Sequence, residues 1–308
     1  AGRDDAARAG RDEGLDRDRI AGRMAEQDID PRQPSQPAPI DRDAGPRGLA
    51  VKVIGVQGAR LPGSEGSTNQ DFVLSNSKTF PTANAKTFLA SLKVLAATTD
   101  KGEGIKKVIS AALRGAETLI EALGKESPTL KGLGGQLETH ILGDSFYSQA
   151  PVRYGDHIAK IAVTPSSDAL KALAHQALDL NHSHDGLRDA VVEFFKTQGG
   201  VWDVRAQLCT TLHDMPIEHS NVPWSEDHSR YLPVGRITVA PQTAWSEARS
   251  AAVDDGMSFS PWNGLADHQP LGSIMRVRKA AYEASSAYRA SQNGKAVSEP
   301  TSVEALPA

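Results

Sequence analysis

Two arginines, a tyrosine and a serine recur at helical spacing near the end of the chain. Arg278, Tyr282, Ser285 and Arg289 are separated by four, three and four residues, so a helix places all of them on one face. Alanines at 280, 281, 284 and 287 favour a helix in this stretch. A guanidinium can bind a carboxylate or favour the ionised form of a neighbouring phenol. Spacing alone favours a solvated amphipathic helix, so the rest of the chain must decide.

The other segments with chemically active residue types are weak candidates. KGLGGQ lacks the spacing of a phosphate-binding loop, and no GxGxxG follows a strand. His182 and His184 could begin a metal site, but no third ligand is near in the sequence, so a solvated loop is favoured. Asp267 and His268 form a lone acid–base pair in a proline-flanked turn, and Cys209 in an alternating strand is most simply a buried apolar residue.

Length and composition limit the class of protein. The 308 residues suffice for one large domain or two modest ones, and a net charge of −4 gives no electrostatic reason to expect nucleic acid or an anionic membrane as partner. One cysteine excludes an internal disulfide and multi-cysteine metal sites. Without a long apolar run or a visible signal peptide, we expect a soluble cytoplasmic protein. The periplasm is the alternative, since the chain does not begin with Met.

The first 46 residues differ in composition from the rest. They hold eight Arg, no Lys and eleven Asp or Glu, and five prolines fall in the last sixteen of them. Such a segment buries too little apolar surface to offset its ordering entropy, which predicts disorder. Out-of-frame translation of a GC-rich gene is a second interpretation of the same composition. The predicted organisation is therefore an atypical segment over 1–46, a globular domain over 47–292 and a loose polar tail over 293–308.

Strands and helices alternate in blocks along the globular part. Alternating or β-branched patterns predict five strands, and helical spacing predicts four helices including the closing one. This order lacks a βαβ rhythm and favours an α+β fold with an antiparallel sheet or barrel. The predicted strands are 48–56, 71–80, 158–165, 201–212 and 232–242, and the helices before the closing one are 84–98, 102–124 and 185–198.

Several segments in a fixed order carry a family resemblance. They are RGLAVKVIGV, QDFVLSNSKTF, FYSQAPVRYG, MPIEHSNVPWSED and FSPWNGLADHQPLGSIMRVRKAAYEASSAYR. Together they resemble the catalase superfamily, especially its small bacterial haem proteins, over about residues 45–290. The resemblance implies a catalase-like antiparallel β-barrel with surrounding helices and a C-terminal haem-ligating helix. It also implies haem b (iron protoporphyrin IX), a hydrogen peroxide or organic hydroperoxide substrate, and a homo-oligomer as one assembly.

The same resemblance assigns roles to residues on the closing helix. Tyr282 matches the tyrosine that ligates haem iron as phenolate, and Arg278 matches the arginine that hydrogen-bonds this oxygen. Arg289 matches an arginine that pairs with a haem propionate. A guanidinium and Fe(III) both favour the ionised phenol, and an anionic oxygen ligand stabilises ferric iron.

The resemblance also implies residues on the opposite, distal side of the haem. Asn76 matches the asparagine that hydrogen-bonds peroxide, and Val73 and Phe88 match residues that narrow the pocket and stack on the porphyrin. Without the ordered segments, a turn asparagine and ordinary core packing would be preferred.

The N-terminal part departs from the family pattern. The family's distal histidine lies upstream of the RGLAVKVIGV strand, whereas the first histidine here is His140. A VRFS-type strand and two further propionate arginines are missing as well. Loss of the acid–base group predicts activity lower by ~10²–10⁴-fold. Loss of the strand predicts an unpaired sheet edge beside an open pocket.

Four interpretations of function follow. The first is a catalase- or peroxidase-type enzyme, active in the oxidative stress response, whose N-terminus is defective or mis-framed. The second is a haem-binding relative with little peroxide turnover, and the third is an enzyme for organic hydroperoxides. The fourth is a structural or interaction protein without haem, which the four matching residues at 76, 278, 282 and 289 argue against. We expect haem-dependent peroxide decomposition or reduction, impaired by the missing histidine.

Overall fold

One antiparallel sheet organises the fold. The computed structural model describes residues 46–99, 139–174, 176–178 and 185–307. Within these residues the strands pair in the order β1-β2-β3-β5-β6-β7, and β4 pairs with β5. The sheet curls into half of a barrel. The strands are β1 (Gly48–Val53), β2 (Gln70–Ser75), β3 (Phe146–Tyr147), β4 (Val152–Tyr154), β5 (His157–Pro165), β6 (Gly200–Leu208) and β7 (Leu232–Val239).

All five predicted strands are present, but some are shorter than their patterns. The second prediction ran to residue 80, whereas β2 ends at Ser75. The next residue, Asn76, exchanges hydrogen bonds with the backbone of Arg47, and the following segment leaves the sheet. Alternation of side chains continued past the point where the backbone turns, so it could not mark the end of the strand.

Helices contribute to the apolar core and carry four of the six candidate residues, Phe88, Arg278, Tyr282 and Arg289. The helices are α1 (Ala85–Thr99), α2 (Asp168–Lys171), α3 (Gly186–Thr197), α4 (Glu247–Ser250) and α5 (Gly272–Asn293), with a π-helical turn at Ala251–Asp255. The predicted helices at 84–98 and 185–198 are confirmed as α1 and α3, and the closing helix is α5. The predicted helix at 102–124 and the segment 1–45 lie outside the described residues, as do His182 and His184.

The two faces of the sheet differ in character. Paired residues and residues two apart share a face of an antiparallel sheet. Phe72 and Leu74 point to a face that packs in an apolar core with Phe146, Val163 and Trp202. The intervening positions of the same strands form the opposite face, on which polar side chains alternate with small apolar ones. We call this second face the polar face; it carries Lys52, Asp71, Val73, Ser75, Tyr147, Lys160 and Gln207.

The C-terminal tail returns to the polar face. Glu299 accepts hydrogen bonds from Lys52 Nζ at 2.7 Å and from Asn69 Nδ2 at 2.9 Å. Lys52 also contacts Asp71 at 2.7 Å, and both side chains are almost fully buried. Burial raises the pKa of Asp71, and its hydrogen bond from Lys52 acts in the opposite direction. Residues 294–300, which follow α5, are therefore held on β1 and β2 by a buried charged network.

Candidate functional site

Arg278 and Tyr282 are in direct contact on α5. Arg278 Nη2 donates a hydrogen bond to Tyr282 Oη at 2.6 Å, and the guanidinium carbon lies 5.0 Å from the centroid of the tyrosine ring. The second terminal nitrogen, Nη1, lies 3.7 Å from the sulfur of Met275. Arg278 and Tyr282 are both half-buried. The i, i+4 spacing therefore places a fixed cation on the phenol oxygen.

Arg289 lies near the end of the same helix. One of its terminal nitrogens donates to the carbonyl oxygen of Met257. Its Nε atom is buried and has no hydrogen-bond partner among the described residues. A buried donor without a partner costs about 1–3 kcal/mol, and a carboxylate is the partner that a guanidinium binds best.

The first turn of α5 is fixed by the loops that precede it. Trp262 Nε1 donates to the carbonyl of Met275 at 2.7 Å. Glu218 accepts from the Ser273 amide at 2.9 Å and forms two bonds of 2.9 Å with Arg276. These bonds with Arg276 lower the pKa of Glu218, and its negative charge suits the positive end of the helix dipole. The position of the helix is therefore set independently of its central residues.

After that first turn, the inward stripe of α5 has no fully buried side chain. Ile274 and Met275 are buried, but from residue 276 to residue 293 every residue is half-buried or exposed. The half-buried positions include 278, 282, 286 and 289, which follow one another along one face. Tyr282 therefore stands on a helix face that the described protein covers only in part.

Val73 lies on the same side of the sheet as α5. Its strand neighbour Asp71 accepts hydrogen bonds from the Ser260 amide at 3.0 Å and from Asn263 at 3.2 Å. The segment 257–263 therefore covers the polar face, and this segment also supplies Met257 to Arg289. The segment 257–263 therefore lies on the side of the sheet that carries Val73, the predicted distal residue, and it also contacts Arg289, the predicted propionate ligand.

Asn76 is held by the backbone at the start of β1. Its Oδ1 accepts from the Arg47 amide at 3.0 Å, and its own amide donates to the Arg47 carbonyl at 3.0 Å. The Arg47 side chain pairs with Asp144 at 3.0 Å. Asn76 therefore has the role of a strand-end turn residue, whatever else its amide group contacts.

Phe88 lies on α1, whose first turn adjoins α5. The Ala85 amide donates to Ser273 Oγ at 3.4 Å. The Phe88 ring packs edge-on against Phe80, with centroids 5.0 Å apart. Val73 lies on β2, Asn76 follows the end of that strand, and the other four predicted residues lie on α1 and α5. Loop contacts connect these elements, and a direct hydrogen bond joins Arg278 to Tyr282.

His268, the histidine of the proline-flanked turn, lies on the apolar side of the sheet. His268 packs on Phe72 and stacks on Tyr154, with ring centroids 6.0 and 5.8 Å apart. Phe72 points to the apolar face, so His268 is on the opposite side of the sheet from Val73. Burial lowers the pKa of His268 and keeps the ring neutral. It does not take the place of the missing distal histidine.

The described residues contain neither a cluster of metal-binding side chains nor a membrane-spanning helix. Within 46–99, 139–174, 176–178 and 185–307, no group of three or more His, Cys, Asp or Glu could hold a metal ion. No helix in these ranges is long and apolar enough to span a bilayer.

Comparison with known proteins identifies the fold. No family model and no curated protein sequence matches the chain. Among solved structures it is similar to a fungal catalase (TM-score 0.54, 14% identity, 82% of this chain and 49% of that one). It is also similar to a bacterial catalase (0.51, 14%, 94% and 64%) and to catalase A from Saccharomyces cerevisiae (0.50, 12%, 88% and 63%).

These similarities define a catalase-like α+β fold. The chain spans about half of the fungal catalase and just under two thirds of the other two. The predicted fold class is confirmed at this level, although the described strands form a half-barrel and not a closed barrel. At 12–14% identity the similarity concerns the fold alone.

Proposed function

We propose that this chain binds haem b between α5 and the polar face and reduces peroxide there. The hydrogen bond of 2.6 Å between Arg278 and Tyr282, on a catalase-like fold, carries this proposal. Hydrogen peroxide is the proposed substrate, and an organic hydroperoxide is the alternative.

The residues of α5 fit the proposed cofactor. A phenol ionises near pH ~10 in water, and a guanidinium at hydrogen-bond distance favours the phenolate that would ligate ferric iron. Tyr282 is half-buried on a helix face that the described protein leaves partly uncovered. The buried Nε of Arg289 lacks an acceptor within the described chain, and a propionate carboxylate would supply one. Tyr282 would hold the iron, and Arg289 would hold the propionate.

The chain's own groups would orient the substrate. When bound, ferric haem supplies the redox chemistry that breaks the O–O bond of a peroxide. Asn76 has its Oδ1 engaged by the Arg47 amide, so it would contact a peroxide oxygen as a donor, through Nδ2. Val73 and Phe88 are apolar and would limit the space beside it.

Proton transfer is the step that we expect to limit peroxide turnover at this site. No histidine precedes His140 in the sequence, and His268 lies behind the sheet. A positioned acid–base group contributes ~10²–10⁴-fold to such reactions. We therefore expect oxygen evolution from hydrogen peroxide well below that of a catalase that has the histidine.

A haemin titration of the 308-residue protein tests the proposal. We expect a ferric absorption spectrum in the parent and in the control Tyr288→Phe, because Tyr288 is 54% exposed on the same helix. Tyr282→Phe should alter that spectrum, because it removes the ligand oxygen and little else. Equal spectra of the parent and Tyr282→Phe would refute Tyr282 as the ligand, and no binding by the parent would refute the whole proposal.

Oxygen evolution distinguishes the enzyme from an inactive haem protein. A haemin-bound parent that consumes peroxide faster than free haemin supports the enzyme. A bound parent with the rate of free haemin supports the second candidate, a haem-binding relative without turnover.

A further inference from the structure

The polar face carries a pair of tyrosines that the proposed function does not use. Tyr147 is the register partner of Ser75, the residue immediately before Asn76. Residues that face each other across strands have Cβ atoms about 4.5–5.5 Å apart and point the same way. The Tyr147 side chain therefore starts from the same face as Val73, next to the strand end that holds Asn76.

The second tyrosine packs on the first. The rings of Tyr147 and Tyr231 have centroids 5.7 Å apart at an angle of 63°. This edge-to-face contact is within the range in which aromatic rings interact directly. Tyr231 precedes β7, so two phenols that are distant in sequence are brought together where the chain crosses the polar face.

Charged side chains surround this pair. Lys78 Nζ lies 5.9 Å from the centroid of the Tyr147 ring and forms an ion pair of 2.6 Å with Glu226. Burial, followed by the effects of Tyr147 and Glu226, raises the pKa of Tyr231, so this phenol stays protonated at neutral pH. A protonated phenol that loses one electron also loses its proton, because the radical cation that results is a strong acid. The pair therefore stores both electrons and protons beside the proposed substrate position.

We propose that Tyr147 and Tyr231 are a two-electron donor for the peroxide bound near Asn76. Each phenol loses one electron and one proton. The peroxide O–O bond breaks, and the peroxide takes up two electrons and two protons to leave as two waters. The two phenoxyl rings then form one carbon–carbon bond between ring positions next to the hydroxyl groups, and the ring hydrogens return to the oxygens. The protein loses two hydrogens in total and gains a dityrosine cross-link.

This donor role would supply both electrons and protons to the peroxide. Dismutation instead requires a second peroxide to be oxidised. A neighbouring phenol pair needs no second peroxide. The inference rests on the proposed function for its oxidant, but the tyrosine pair itself can be tested without haem.

The first experiment uses the full chain loaded with haemin and treated with hydrogen peroxide. We expect dityrosine fluorescence and a cross-linked peptide that contains Tyr147 and Tyr231 and is lighter by two hydrogens than the sum of its parts. Tyr147→Phe and Tyr231→Phe should each abolish this product. The control Tyr288→Phe should retain it, because that tyrosine is exposed on α5.

The second experiment omits haemin and oxidises the protein with a photoexcited ruthenium complex and persulfate. The same cross-link should form, since ring contact alone then decides which tyrosines couple. A haemin spectrum with peroxide consumption but no cross-link would overturn the donor role while leaving the proposed function intact. If no haemin spectrum appears but the photochemical cross-link forms, both the proposed function and the donor role are overturned. Only the contact between the Tyr147 and Tyr231 rings is then supported. If neither experiment gives the cross-link, both the contact between the two rings and the donor role are overturned.

Discussion

Replacing Lys160 by Met should stabilise this protein at neutral pH. Lys160 is 2% exposed in the middle of β5, and no ion pair in the described part of the chain includes it. Its ammonium group lies 3.4 Å from the Val222 carbonyl and 4.9 Å from the centroid of the Trp224 ring. A buried cation with one carbonyl and one ring as neighbours is poorly compensated for the water that it loses.

The magnitude follows from the pKa. Burial lowers the pKa of Lys160 from 10.5 to about 8. At ~1.4 kcal/mol for each pKa unit, the charged form costs ~3 kcal/mol in the folded state. Met removes that cost but also loses the attraction of the Trp224 ring, worth ~1–2 kcal/mol when desolvated. We expect the free energy of unfolding of Lys160→Met to exceed that of the parent by ~1–2 kcal/mol at pH 7.

The pH dependence gives a sharper test. Below pH 8 the folded and unfolded states both hold the Lys160 proton, so the cost is constant. Between pH 8 and pH 10.5 the unfolded state still holds it while the folded state has lost it, so stability of the parent rises with pH. Above that window the contribution is constant again. The advantage of Lys160→Met should therefore shrink as pH rises through this range.

Urea unfolding of the parent and Lys160→Met at pH 7 and at pH 10 measures both effects. Other groups titrate equally in the two proteins, so the difference isolates Lys160. Lys196→Met is the control, because that side chain is 60% exposed and its removal should change stability by less than ~0.5 kcal/mol. A variant less stable than the parent at pH 7, or one with the same pH dependence, would refute the reasoning.

Two further substitutions test the packing around the site. Glu299→Gln should lower the free energy of unfolding by ~1–2 kcal/mol, because it weakens the bond from a half-buried carboxylate to the buried ammonium of Lys52, and thermal denaturation should show no such loss for Glu193→Gln in an exposed pair. Gly272→Ala should cost ~2–4 kcal/mol in urea unfolding, because its φ is +86° and a Cβ would lie 2.6 Å from a backbone carbonyl of the neighbouring loop. Gly294→Ala should cost ~1 kcal/mol, because its φ is +60° in open space, and equal losses at the two glycines would contradict the role of the close contact.

The sequence predicted the features that depend on local spacing. The closing helix and the contact between Arg278 and Tyr282 follow from an i, i+4 repeat, because a helix fixes which residues are neighbours. The strands follow from alternation and β-branched residues. Ends of strands were less predictable, since Asn76 leaves the sheet through a contact with Arg47, which is 29 residues away.

Spacing and alternation could not predict contacts between segments that are distant in sequence. Lys52 and Glu299 are separated by 247 residues, and nothing in a polar tail indicates that its carboxylate is bound to a buried lysine. Tyr147 next to Ser75 depends on the pairing of β2 with β3, which spacing does not define. Lys160 in an alternating strand reads as a solvated position, but the loop that contains Trp224 covers it.

The segment 257–262 touches α5 at two places and so links its motions. Met257 accepts from Arg289, and Trp262 donates to the carbonyl of Met275, fourteen residues earlier on the helix. Those helix positions are about 21 Å apart at 1.5 Å per residue. The long side chains of Arg289 and Trp262 cover much of that distance, and the segment itself turns at Ser260, whose carbonyl accepts from the Asn263 amide at 2.9 Å. Detachment of this one segment would release both ends of α5, so we expect the amide hydrogens of both ends to exchange with solvent in one shared opening event.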